Sequence, residues 1–199
     1  QYLSDLRKSA LEVFKSKGFP TIKDEEWKYT SLKSITKVDY KLEAKANSID
    51  ESQVELHSLN IDSYKVVLVN GVFVKELYDS IINDDIEISS LKNNIESNPT
   101  QVEEYIGRIA PSAEPFVALN NFTFSDGLFL RVNKNKIVDK PLQILSFVSE
   151  AESLTQNRNL IIVEANSQFK TIERHVNISD SKVLSNNLTE ISIGENSNY

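Results

Sequence analysis

The second half of the chain constrains the fold most. From about Asp126 onward it is a succession of short β-branched runs: Leu128 to Val132, Leu142 to Val148, Leu160 to Val163, Thr171 to Ile178 and Leu188 to Ile193. Polar corners rich in asparagine separate them: Asn157-Arg158-Asn159, Asn166-Ser167, Ser179-Asp180-Ser181, Asn186-Asn187 and Glu195-Asn196-Ser197-Asn198. After glycine, asparagine best tolerates a left-handed backbone, and its amide bonds neighbouring backbone groups. The pattern therefore predicts strands turned by asparagine where other chains use glycine, and the chain has only five glycines. Two all-β arrangements fit, a sandwich and a solenoid. Irregular spacing and few two-residue hairpin signals after Gly127 favour the solenoid, although no strict internal repeat is visible.

The first half is mixed. Leu3, Leu6, Ala10, Val13 and Phe14 fall at helical spacing, so Tyr2 to Lys17 reads as an amphipathic helix, with Gly18 as its cap and Pro20 blocking continuation. Asp24 to Thr30 reads as a loop or short turn tucking Trp27 against that helix. A short helix is expected from Asp50 to Leu59. Tyr64 to Val69 and Val72 to Val74 read as a hairpin turned at Asn70-Gly71, and Ile86 to Ile88 as a third short strand. Asn98-Pro99 opens a helix striped by Val102, Tyr105, Ile106 and Ile109 and ended by Pro111. Phe116 to Asn121 reads as one more helical segment. The division is an N-terminal helical and mixed α/β region, 1–125, and a strand-rich region, 126–199.

Composition removes several functions. There is no cysteine, so this chain offers no disulfide, thiol nucleophile or thiolate-held cluster. With two histidines, His57 and His175, a three-histidine metal site is impossible. Twenty-two basic residues against 29 acidic ones give a net charge of −7, which argues against non-specific nucleic-acid binding. No apolar run approaches the ~18 residues of a membrane span. The default expectation is a soluble intracellular protein. Methionine is absent and the chain opens on Gln1, which suggests an incomplete product.

Few residues invite chemistry. Glu173 and His175 share one face of a predicted strand, a carboxylate–imidazole pair usable for a metal or a proton, or else a solvent-facing polar stripe with Thr171 and Asn177. Arg174 shares the other face with Ile172, Val176 and Ile178, so it lies at the core edge or meets a buried acid. Asp24-Glu25-Glu26 and Asp84-Asp85 lack the spacing of a calcium loop and read as solvated charge. Trp27 reads as packing, with a ligand-stacking platform as the alternative, and His57 as a surface or edge residue. No phosphate-cradling loop, nucleophile elbow or zinc histidine pair is present.

Gly18-Phe19-Pro20-Thr21, followed by Glu25-Glu26-Trp27-Lys28-Tyr29-Thr30-Ser31-Leu32, resembles the N-terminal signature of the SufD branch of the SufB/SufD family, of the SUF iron–sulfur cluster assembly system. Val67-Leu68-Val69-Asn70-Gly71, Ala118-Leu119-Asn120, Asp126-Gly127, Leu130-Arg131-Val132, Lys140-Pro141-Leu142 and Arg158-Asn159-Leu160-Ile161 extend the resemblance over essentially the whole chain. It implies an α+β fold in which the N-terminal region leads into a right-handed parallel β-helix, truncated here before its C-terminal cap. It implies a cytoplasmic, non-enzymatic scaffold subunit that pairs with a SufB-like paralogue and a SufC-like ATPase and is tied to iron supply. It implies neither a nucleic-acid nor a membrane partner. It places no catalytic, cofactor-binding or metal residue within 1–199, and an iron–sulfur cluster only in the full complex. Two other functions stay open. One is a carbohydrate-acting β-helix enzyme of the polysaccharide-lyase kind, using Glu164, Glu173, Glu190 and Arg174. The other is a plain interaction module docking through the N-terminal helix and hairpin.

Overall fold

A computed structural model of the chain describes residues 1–42, 49–77 and 84–199. The elements in order are α1 (Tyr2–Lys17), α2 (Glu51–His57), β1 (Tyr64–Val69), β2 (Val72–Phe73), β3 (Ile86–Ser90), α3 (Leu91–Ser97), α4 (Pro99–Glu103), α5 (Pro115–Thr123), β4 (Leu128–Val132), β5 (Leu142–Val148), β6 (Leu154–Thr155), β7 (Arg158–Val163), β8 (Thr171–Asn177), β9 (Leu184–Ser185) and β10 (Leu188–Ile193). One-turn 3-10 segments occupy Glu25–Trp27 and Lys75–Leu77.

Among the described residues the strands form three sheets, ordered β2-β1-β5-β8, β10-β7-β4-β3 and β6-β9, and none closes on itself. Among β4 to β10 every strand pairing is parallel, whereas β3 joins β4 antiparallel. Leu142 lies opposite Thr171, a step of 29 residues; Arg158 opposite Leu188 and Leu154 opposite Leu184, steps of 30; Phe129 opposite Leu160, a step of 31. Successive strands of a sandwich would pair antiparallel, so the sandwich expectation fails for this half. The fold is α+β with parallel and mixed sheets, and both large sheets include strands from either side of the 125–126 division.

Parallel strands buried on both faces read as continuous apolar runs rather than alternations. Val66 to Val69 reads that way, and Leu142 to Phe147 does so apart from the buried polar residues Gln143 and Ser146; the packing shows why. Val66, Leu68, Leu142 and Ile144 meet Leu128, Leu130, Val132, Ile161 and Val163 between the two large sheets. The opposite face of β1 and β5, with Val67, Val69, Leu145 and Phe147, packs on Val54 of α2. The outer face of β4 and β7, with Phe129, Leu160 and Ile162, is covered by Leu91, Val102, Ile106 and Phe124, and by Tyr2 and Leu3 of α1.

Asparagine does turn the corners. Asn70, Asn135, Asn166 and Asn196 all have positive φ, between 51° and 63°. Three of them stack one coil apart: Asn166 Nδ2 donates to Asn135 Oδ1 at 3.0 Å, and Asn196 Nδ2 to Asn166 Oδ1 at 3.4 Å. Beside them Ser167 Oγ donates to Asn133 O, and Ser197 Oγ to Glu164 O. The 30-residue period is thus carried by corner chemistry, not by strand sequence. One glycine is needed at a crossing between coils. A Cβ on Gly127 would stand 1.8 Å from the carbonyl oxygen of Arg158, where no side chain fits.

The helix expected through Pro111 stops at Glu103. Gly107, at φ 72°, breaks it, and α3, absent from the sequence reading, precedes it. Asn98 precedes Pro99 but makes no side-chain cap.

Replacing Asn166 by alanine keeps a β-carbon in the left-handed region, removes the amide that makes that backbone tolerable and cuts the corner ladder. The expected loss is about 1 kcal/mol in urea denaturation, and glycine at the same position recovers most of it.

Candidate functional site

Two polar clusters stand out, one buried and one at an open strand edge. The buried one joins the helical layer to the coils. Arg158, at the start of β7, is 0% exposed and Glu190, on β10, 1%. Arg158 Nη2 donates to Glu190 Oε2 at 2.6 Å and Nη1 to Asn120 Oδ1 at 3.2 Å. Its guanidinium carbon lies 5.6 Å from the centre of the Phe124 ring. Glu190 also accepts three backbone bonds from the loop after α4, from Gly107 N (2.8 Å), Ile109 N and Ala110 N (3.0 Å each). Asn120 Nδ2 donates to the carbonyls of Asn157 and Asn186, each at a coil corner. Burial pushes the Arg158 pKa down, and the Glu190 carboxylate opposes that. In the sequence Arg158 sits in a polar corner and Glu190 stands out only as one of several strand acids. The signal available was the pair's 32-residue separation, about one coil, which is legible only once the period is known.

The open-edge cluster contains the pair singled out from the sequence. On β8, Glu173 pairs in register with Ile144 and His175 with Ser146. Ile144 faces the core between the sheets. Residues in register share a face, so Thr171, Glu173, His175 and Asn177 form a row on the inward side of β8, and Glu173, His175 and Asn177 of it are exposed. They keep exposure because no described strand stacks on β8. Glu173 Oε1 lies 3.3 Å from His175 Nε2 and accepts from Asn159 Nδ2 at 3.4 Å. His175 Nδ1 lies 3.1 Å from Asn187 Nδ2. Thr171 Oγ1 bonds the Tyr199 hydroxyl. The His175 pKa is raised above 6.5, first by its hydrogen bond to Glu173 and further by that residue's charge, with burial opposing. Burial raises the Tyr199 pKa, the Thr171 bond opposes it, and the Glu173 charge adds to the rise.

The remaining candidates do not converge. Arg174 points outward and donates to the His57 carbonyl at 2.9 Å, the core-edge alternative. His57 closes α2 with its ring 5.8 Å from Phe147. Glu164 pairs with Arg131 and accepts from Lys134 N. Glu164, Glu173 and Glu190 thus serve three separate networks, and no lyase-type groove joins them. Asp24 accepts from Thr21 N and Oγ1, which lowers its pKa. Glu25 pairs with Lys28, and Asp85 with Lys136. Trp27 packs on Phe116 of α5 at 5.3 Å between ring centres, and reaches Phe14 of α1 only through Phe19. Among the described residues, no three His, Cys, Asp or Glu groups gather to hold a metal ion.

Comparison with known proteins fits this architecture. The family described as SufBD protein N-terminal region matches residues 1–144, more than half of the chain. The chain belongs to the SufBD family. It is 27% identical over 208 residues to the iron–sulfur cluster assembly SufBD family protein slr0076 of Synechocystis, an alignment covering 98% of this chain and 45% of the relative. To the iron–sulfur cluster assembly protein SufD of Escherichia coli it is 23% identical over 169 residues, 83% of this chain and 37% of that one. To the SufBD family protein ABCI9 of Arabidopsis thaliana it is 33% identical over 95 residues, 47% of this chain and 20% of that one. The chain therefore spans less than half the length of the curated relatives it matches. Arg158, Glu190, Glu173 and His175 lie beyond the matched 1–144, whereas Asn120 and the 107–110 loop that meet the Arg158–Glu190 pair lie within it.

Two outcomes follow for this SufBD family chain. Arg158→Met leaves the Glu190 carboxylate buried and unpaired, at an expected cost of about 3–5 kcal/mol in thermal or urea unfolding. Adding Glu190→Leu does not restore stability, because three loop N–H groups then lose their acceptor. For His175 the folded pKa exceeds the unfolded one. The stabilisation from its pairing with Glu173 is then complete below about pH 6.5 and is lost as pH rises through the folded value. Glu173→Gln returns the His175 titration toward its ordinary range, which NMR of the imidazole reads directly.

Proposed function

We propose that this chain is the N-terminal part of a SufD-type scaffold subunit for iron–sulfur cluster assembly. The observation that carries the reading is the strand stack: β4-β7-β10, β5-β8 and β6-β9 all advance in parallel by 29 to 31 residues, behind an N-terminal region that matches the family. In this reading the stack is the start of a right-handed parallel β-helix. A parallel crossover is right-handed in almost all known cases, for steric reasons of strand twist.

The subunit works by docking rather than catalysis. Its acids are spent on separate structural networks, which supports a non-enzymatic role. Its partners are a SufB-like paralogue, met through the strand stack, and a SufC-like ATPase, met through further chain. The cluster is cargo of the full complex, and the chain holds no resident cofactor. A surface balance of −7 favours neither nucleic acid nor an anionic membrane. No helix among the described residues is long and apolar enough to cross a membrane. We place the assembly in the cytoplasm.

The test is co-expression of the full reading frame carrying this chain with SufB-like and SufC-like proteins of the same source, followed by light scattering on the eluted material. A stoichiometric particle of all three is the expected result. A monomer eluting free of both partners would remove the scaffold reading and leave only family membership.

A further inference from the structure

The sheet β10-β7-β4-β3 ends on β3 at the side away from β10, so whatever stacks on β10 leaves the β3 edge as it is. An edge strand presents unpaired N–H and C=O groups, and chains commonly blunt it with proline, lysine or a bulge. β3, Ile86-Glu87-Ile88-Ser89-Ser90, contains no proline and no lysine, and its register to β4 runs without a bulge. Asn133 N donates to Asp85 O and Leu91 N to Gly127 O, so the odd-numbered residues carry the ladder to β4. Antiparallel bonds alternate along a strand. The even-numbered backbone groups therefore turn away from β4. At the middle of that edge, the N–H and C=O of Ile88 meet no partner among the described residues.

Charge is placed symmetrically about Ile88. Asp84 lies four residues before it and Lys92 four residues after it. Both are exposed, and neither side chain makes an ion pair or hydrogen bond among the described residues. Their neighbours are already engaged: Asp85 pairs with Lys136, and Glu87 accepts from Asn94 Nδ2 at 3.0 Å. We propose that this edge pairs with the same edge of a second copy of the chain, antiparallel and centred on Ile88. A two-fold axis then sets Ile88 opposite its own copy, each N–H donating to the other's C=O. Asp84 of each copy stands opposite Lys92 of the other. The contact is strand addition by a self-complementary edge, and it closes at two copies. A parallel pairing would set Asp84 on Asp84 and Lys92 on Lys92, so charge selects the antiparallel register. The net charge of −7 opposes self-association over most of the surface, which confines attraction between copies to places where the signs alternate like this. The inference concerns the first coil and is independent of the scaffold reading.

The experiment uses the full reading frame carrying this chain, with light protein mixed with nitrogen-15-labelled protein. A carbodiimide joins a carboxylate to an amine in contact with it. Mass spectrometry should then find Asp84 linked to Lys92 in peptide pairs of which one is light and the other heavy. Hydrogen exchange at the Ile88 amide reports pairing at this edge whatever other surfaces the full protein uses, and its protection should rise with protein concentration. Asp84→Lys or Lys92→Glu alone should raise the concentration needed by about tenfold, through loss of two exposed ion pairs. The double exchange, Asp84→Lys with Lys92→Glu, should restore the wild-type concentration dependence, which separates lost pairing from lost folding. The proposal is overturned if no light–heavy linkage between Asp84 and Lys92 forms, or if Ile88 exchanges at the same rate at every concentration. It is equally overturned if the single variants match wild type or the double exchange does no better than they do.

Discussion

The Arg158–Glu190 pair is the contact on which the rest of the structure hangs. It takes two full charges out of water, which is tolerable only because polar groups from several elements converge on them. The guanidinium has Asn120 as its second acceptor, and the carboxylate gathers three N–H groups of the loop that follows α4. That loop bends at Gly107, where φ is positive and a Cβ would stand 2.7 Å from the side chain of Leu6. Thus α1, the 107–110 loop, α5 and two successive coils meet around one ion pair. The helical layer is registered on the strands through it, and the apolar cluster of Leu91, Val102, Ile106, Phe124 and Phe129 fills the space beside it.

Local rules made much of this fold legible. The α1 limits, the Asn70-Gly71 hairpin turn, and the bounds of β1, β4, β5 and β10 follow from periodicity, capping and turn chemistry acting over a few residues. What stayed hidden depends on distance along the chain. The two-residue strands β6 and β9 exist only because each pairs with the other, 30 residues away. The repeat itself is faint because the strands do not resemble one another. Its trace is in the corners: Asn135-Lys136, Asn166-Ser167 and Asn196-Ser197, and again Leu154-Thr155 and Leu184-Ser185. Val102, Tyr105, Ile106 and Ile109 share a helical stripe, yet the helix ends at Glu103. Gly107 interrupts it, and the N–H groups this frees turn to Glu190.

The same split applies to the candidate site. Alternation alone placed Glu173 and His175 on one face of a strand. Which face that was could not be read without the register to β5, and the register makes it the inward one. Membership of the SufBD family rests on the N-terminal match, so it describes the platform on which this row is mounted rather than the row itself.

The parallel stack also has a mechanical character. Each coil runs across the stacking direction and bonds mainly to the coils beside it, so tension along the stack would peel the chain away one coil at a time, like tape from a roll. The Glu190 clamp alters the step at which β10 leaves. Lifting β10 pulls a carboxylate out of its cage of loop amides, so the helical layer loosens together with that coil and resistance is concentrated there.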